Sequence, residues 1–508
     1  MDRIDNATRT SGVILHPTSL PGSHGIGQLG EHARGFIDFL ARAEIGLWQV
    51  LPVVPVQEDW FSPYSGLSAF GGNPYMLSLA DLVADGLLDP QDLAGGAELR
   101  DDRVAFRAVA AHRKPLFAKL AQRVPAADRG LLSYAEREAG WLDDHALFCA
   151  LLDAYGQDTW AGWPPAVRHR DPAALAAARI ELAPAIHKHR VLQYLFARQW
   201  AALRAYARER GVALVGDIPI YVNYNSADVW AHPEYFQLDR ELRPRFEAGV
   251  PADGFFSDQA QHWGNPLYDW PRLAEDGYRW WGARLRHALE LYDHVRMDHF
   301  RGFQAYWAVP AGQDAATGAW VPGPGRALFD ALRSQLGGLP IFVEDLGLIT
   351  EDVHQLRREV GVPAMSVFQF GFTRGGDSPY LPHHAGPHVV YYTGTHDVPP
   401  LAEWRERLSP EELARVLAYL GVPDGAALPV RDFVWNVVRC AWATSSPWVV
   451  AQLQDLLASG AESQMNRPGL ADLANWSWRV QAHELSDALA ARCARLNAIY
   501  GRGRPAAG

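Results

Sequence analysis

Cysteine is scarce. Three residues of 508, at Cys149, Cys440 and Cys493, are too few and too scattered for a disulfide framework or a metal knuckle. They read as reduced, buried thiols. Positive charge is also in deficit: 47 Lys and Arg against 58 Asp and Glu leave a formal charge of −11. That balance repels phosphate backbones and anionic membranes, so neither a nucleic acid nor a membrane is an expected partner. No apolar run approaches the roughly 18 residues a membrane helix needs. The opening stretch "MDRIDNATRTSGVILHPTSL" lacks a basic start followed by a long apolar run, so no secretory leader is expected and the default compartment is the cytoplasm. Repeats of fixed period are missing too. The short tail "GRGRPAAG" is the one low-complexity piece.

What the chain does have is aromatic residues: 19 Trp, 18 Tyr and 20 Phe. Most serve a core, where such rings bury large areas. The flat face of Trp also suits the C–H face of a sugar ring, which is a weak pointer to carbohydrate. Seven segments read as short buried strands: 12–16, 47–53, 212–222, 294–300, 340–347, 365–372 and 388–397. Each is rich in β-branched or aromatic residues and ends in Gly, Pro, Asp or His. Helical patterns such as 201–211, 282–293 and 325–338 lie between them. Strand–helix alternation predicts a parallel sheet, and seven or eight such strands predict a closed (β/α)8 barrel of the α/β class. Residues from about 75 to 200 read as an inserted helical subdomain. Residues from about 223 to 281, rich in Trp, Pro, Gly and Asn, read as an inserted loop or lid over the site. The remainder, 408–500, reads mostly helical, so no C-terminal β-sandwich is expected.

The segment "VRMDHFRGF" (295–303) places charges where a strand is being built. Residues two apart in a strand share a face, so Arg296 and Asp298 point one way and Val295 and Met297 the other. In a barrel the polar side faces the axis near the C-terminal mouth, where barrel enzymes keep their active sites. Arg296 is then expected to hold Asp298 ionised. The layout recurs at Glu344–Asp345, closing "IFVEDLG", and at His396–Asp397, closing "VVYYTGTHD". Two carboxyls roughly 5–5.5 Å apart suit a retaining glycosidase, in which one attacks the anomeric carbon and the other protonates the leaving oxygen. A third can grip sugar hydroxyls. A single Asp at a strand end more often caps a helix or forms a turn. Three together, each with a charged neighbour, favour function. A metal site using His299, His396 and the acids is a lesser alternative, since no H-E-x-x-H or paired-His spacing supports it.

These residues resemble the amylomaltases, or 4-α-glucanotransferases, of the α-amylase clan. "VRMDHFRGF", "VEDLG", "YTGTHD" and "GDIPIYV" (216–222) look like the clan's signature blocks. "SPYSGLSAFGGNPY" (62–75), "SADVWA" (226–231), "QHWGNPLYDW" (261–270), "FQAYWAVPAG" (303–312), "LQDLL" (453–457), "MNRPG" (465–469) and "NWSWR" (475–479) look like amylomaltase hallmarks. The similarity runs from 12 to about 480. It implies retaining transfer of α-1,4-glucan segments to acceptor sugars such as glucose or maltose, with no cofactor and no metal. By that resemblance Asp298 is the nucleophile and Glu344 the acid and then the base. Asp397 holds hydroxyls of the distorted ring, Arg296 orients the nucleophile and His396 binds the same ring. Tyr64 stacks on that glucose, Gln261, Trp263 and Asn466 line the glucan groove, and Asp217 is structural. The segment 250–268 is expected to exclude water.

The chain departs from the family pattern in places. "EDWF" (58–61) stands where Gly-Tyr-Gly-Asp is usual, Ser65 where Gln is usual, and Val398 where Asn is common. Thr373 replaces an acidic residue and Gln464 an Arg. All three catalytic carboxyls remain. An α-glucan hydrolase on the same scaffold is the nearest alternative, and a non-catalytic glucan-binding protein is the alternative from another class. The sequence assigns no oligomeric state.

Overall fold

The structure, a computed structural model, describes every residue except 1–8, 59–60, 97, 157–158, 253–258, 374–376, 424–427, 471 and 504–508. Its strands are β1 (Thr10–Ile14), β2 (Leu47–Gln49), β3 (Ala213–Ile218), β4 (Phe246–Val250), β5 (Gln261–Pro266), β6 (His294–Met297), β7 (Ala305–Pro310), β8 (Ala319–Pro322), β9 (Ile341–Val343), β10 (Ala364–Val367), β11 (Val389–Tyr392) and β12 (Trp448–Gln452). Eight of them form one parallel sheet in the order β10-β11-β12-β1-β2-β3-β6-β9. Each strand lies beside the next barrel strand in the chain, as short crossovers require. The seam between β9 and β10 is joined by the Val343 N–H donating to the Pro363 carbonyl at 3.0 Å. The result is a (β/α)8 barrel.

All seven expected strands are present, several shorter than the sequence suggests. The eighth, β12, lies inside the region read as helical. Its five residues, Trp-Val-Val-Ala-Gln, are all buried. A short run that is buried on both faces has no alternation to betray it, and helices flank it on either side.

Between β2 and β3 the chain makes a set of helices, including Phe106–Arg123, Leu142–Tyr155 and the 27-residue Ala183–Glu209. The long helix serves two purposes. It packs on the inserted helices. Its second half also returns to the barrel, where the Trp200 indole N–H donates to the Leu291 carbonyl at 2.9 Å. The inserted helices therefore run on into the barrel's own crossover helix.

The region 223–281 holds more than loop. Strands β4 and β5 pair antiparallel and join β7 and β8 in a second sheet of order β5-β4-β7-β8. The partners β7 and β8 follow β6, so the sheet draws together segments from both sides of "VRMDHFRGF". Sequence reasoning misses it because Gly, Asn and Pro in "QHWGNP" read as turn residues. Gly249 is needed here: a Cβ at that position would meet the Gln261 carbonyl oxygen at 2.4 Å. The close approach sits at a register shift between Glu247 and Gly249. The β5 strand carries Gln261 and Trp263 over the barrel mouth. Among the described residues, no helix is long and apolar enough to cross a membrane.

Candidate active site

Asp217 and Arg296 occupy paired positions on β3 and β6. Their side chains therefore share the barrel's inner face. The Asp217 side chain has no exposure and that of Arg296 keeps 3%. One guanidinium nitrogen of Arg296 lies 2.7 Å from Asp217 Oδ2, and the other lies 2.9 Å from Asp298 Oδ1. Its Nε reaches Met365 Sδ on β10 at 3.4 Å. An apolar lining would leave a buried Arg uncompensated; here two carboxylates compensate it.

The Tyr64 hydroxyl donates to Asp217 Oδ2 at 2.6 Å. Because its single proton is committed there, the 2.8 Å contact with His396 Nε2 has the imidazole N–H as donor. The same Nε2 lies 3.1 Å from Asp397 Oδ2. Burial lowers the His396 pKa, which keeps the ring neutral and fits this tautomer. A continuous polar chain thus runs from Asp397 through His396, Tyr64, Asp217 and Arg296 to Asp298. The Tyr64 ring also stacks on His396, with centroids 5.3 Å apart and planes 11° apart. At the far end of the chain, Asp397 Oδ1 accepts from the Asn466 side-chain amide at 2.6 Å. The backbone N–H of Asn466 donates to the His396 carbonyl at 3.1 Å, so one residue fixes both members of the His396–Asp397 pair.

Glu344 follows β9 directly and is fixed by the strand end that carries Asp298. Its backbone N–H donates to the Met297 carbonyl at 2.9 Å, and its carbonyl accepts from the Phe300 N–H at 2.9 Å. Its side chain takes the His299 N–H on Oε2 and the Leu346 N–H on Oε1, each at 2.9 Å. His299 adopts φ +49°, a left-handed conformation that costs a residue with a Cβ about 1 kcal/mol. That turn aims its N–H at the carboxyl.

Burial pushes the Glu344 pKa up, against the pull of Arg296 and the two N–H groups, and the Asp397 charge adds to the rise. Burial also raises Asp298, opposed by Arg296 and reinforced by Asp217, Glu344 and Asp397. Sequence alone predicts that Arg296 holds Asp298 ionised. The contact is present and pulls the Asp298 pKa down, against burial and the three further acids.

A cavity of about 830 Å³ opens over these groups. Asp298, Glu344, Asp397, Tyr64, Arg296, His396, Gln261, Trp263 and Asn466 all line it. The Trp263 indole N–H donates to Gln261 Oε1 at 3.2 Å, and its ring meets His299 edge-on with centroids 4.9 Å apart. Of the segment 250–268, residues 253–258 lie outside the described residues; Val250, Pro251 and Gln259–Trp263 line the cavity. Asp59 and Trp60 of the departing "EDWF" stretch are likewise outside them.

Sequence reasoning does not single out several residues here. Trp476 lies 5.7 Å from the Tyr64 ring and 5.9 Å from His396. Trp320, on β8, carries the Arg301 guanidinium over its face at 3.9 Å. Asp455 is 1% exposed and works from beneath. Its Oδ2 accepts the Thr393 hydroxyl at 2.6 Å and its Oδ1 accepts the Leu401 N–H at 2.8 Å, so it ties both ends of the loop bearing His396 and Asp397. "LQDLL" offers the only signal, an acid inside a short, leucine-rich helix.

Burial pushes the Asp455 pKa up to about 7. An unfolded Asp loses its proton near 3.9. The folded chain therefore holds the extra proton between these values, and this contribution to stability falls as pH rises through that window. Asp455→Asn cannot titrate. Urea unfolding of both chains is expected to shift in the variant's favour between pH 5 and 7, by up to about 1.4 kcal/mol per pH unit. A difference independent of pH would mean that Asp455 does not titrate there.

The chain is similar to known proteins. A family model described as 4-alpha-glucanotransferase matches residues 15–485. A 4-alpha-glucanotransferase of Thermus thermophilus is 42% identical over 492 residues, covering 95% of this chain and 97% of the relative. A chloroplastic/amyloplastic 4-alpha-glucanotransferase of Arabidopsis thaliana is 40% identical, covering 97% of this chain and 86% of the relative. Among solved structures, an amylomaltase from Streptococcus agalactiae in complex with acarbose superimposes with a TM-score of 0.93 at 35% identity, covering 97% of this chain and 100% of that one.

Proposed function

This chain belongs to the 4-alpha-glucanotransferase family, and from that premise we infer how its residues transfer α-1,4-glucan segments. Asp298 attacks the anomeric carbon of the donor. The bond from that carbon to the leaving O4 breaks, and Glu344 gives its proton to the departing oxygen. The glucan is then held on Asp298 as an ester. An acceptor hydroxyl loses its proton to Glu344 and attacks the same carbon, and Asp298 leaves as a carboxylate. Two inversions give retention.

The contrast between the two carboxyls supports these roles. Asp298 meets a guanidinium at 2.9 Å, while Glu344 meets neutral backbone N–H groups. A full positive charge beside Asp298 favours its ionised form, and burial without a cation in contact favours the protonated form of Glu344. Glu344 is also the more buried of the two. Asp397 and His396 hold hydroxyls of the reacting ring. Tyr64 packs on that ring, and Gln261, Trp263 and Asn466 guide the chain. Glucose, maltose and longer maltooligosaccharides are the acceptors. The rim formed by Val250, Pro251 and Gln259–Trp263 limits water's access to the ester.

Incubation with maltotriose tests the reading. Transfer gives a ladder that includes sugars longer than maltotriose. Products that are all shorter would mean hydrolysis on the same scaffold, and no turnover would mean a binding protein.

A further inference from the structure

The connection between β10 and β11 carries "DSPYLPHH", Asp377 to His384. Its 3-10 turn, Pro382–His384, places two imidazoles side by side with centroids 4.1 Å apart. Both present Nε2 to the same carboxylate oxygen. His384 Nε2 lies 2.6 Å from Asp377 Oδ1 and His383 Nε2 lies 3.6 Å from it. The three ligand atoms fall within 4.8 Å of one another. None of these residues lines the catalytic cavity.

A second observation bears on His383. Its Nδ1 lies 2.9 Å from the Tyr419 hydroxyl, at the end of helix Pro410–Tyr419, and its backbone N–H donates to the same oxygen at 3.2 Å. An imidazole that binds a metal through Nε2 carries its proton on Nδ1 and gives it to such an acceptor, which fixes tautomer and ring orientation. From this convergence we infer that Asp377, His383 and His384 form a surface site for a divalent cation of the zinc class. Two imidazoles and one carboxylate suit zinc, whereas magnesium and calcium prefer oxygen ligands. The side chains keep 38–75% exposure, which leaves a fourth position to water. The ion would fasten the β10–β11 connection to the 410–419 helix through Tyr419.

Calorimetric titration of the dialysed full-length chain with zinc chloride at pH 7.5 tests this. One site of micromolar affinity is expected, with a rise in Tm at saturating zinc. Binding should weaken as the pH falls, because the ligands must be deprotonated. His384→Ala, an exposed substitution, should weaken binding at least tenfold and remove the Tm rise while leaving the circular dichroism unchanged. The chain has 19 histidines, so this variant decides the location. Absence of binding, or equal affinity in the variant, would overturn the assignment.

Discussion

Asp298→Asn is expected to lower kcat for glucan transfer by about four orders of magnitude, or about 5.4 kcal/mol of barrier. The amide cannot form the ester, yet it keeps the shape of the carboxyl and a contact for Arg296. Affinity for maltooligosaccharides should therefore change little, and the loss should fall on kcat rather than KM. The two quantities are separable by initial rates and by calorimetry on the inactive chain. A variant that retained more than about a tenth of the activity would remove Asp298 from the reaction. One that lost binding as sharply as turnover would instead make it a substrate-holding group.

Glu344→Gln should cost about three to four orders of magnitude with maltooligosaccharide donors, in which the departing O4 needs a proton. With a maltosyl fluoride donor, whose leaving group needs little protonation, formation of the ester should be nearly preserved. Added azide, which attacks without a general base, should then speed its breakdown and yield the α-azide. The raised pKa of Glu344 also places the alkaline fall of kcat/KM above the ordinary carboxylate range, and the variant should lose that limb. Equal losses with both donors would show that Glu344 does not act as the acid.

The three carboxyls are legible in the sequence because each ends an apolar run, a pattern that period-two alternation and barrel geometry make interpretable. The resemblance to a known family supplies the aromatic and amide positions that physics alone does not select. What stays hidden depends on distance in the chain. β12 has the composition of a buried helix segment. The β5-β4-β7-β8 sheet pairs segments on either side of β6, and no local pattern announces such pairing. Asp455 is invisible as a positioning group because its partners, Thr393 and Leu401, lie more than fifty residues earlier.

The amide of His299 holds Glu344 from within the strand end that carries Asp298. On the proposed roles, the proton donor is thus positioned by main-chain groups, and the attacker by the Arg296 side chain. On that reading, drift among the residues of the groove reshapes which glucans are taken, while the stereochemical outcome stays tied to the barrel's strand ends.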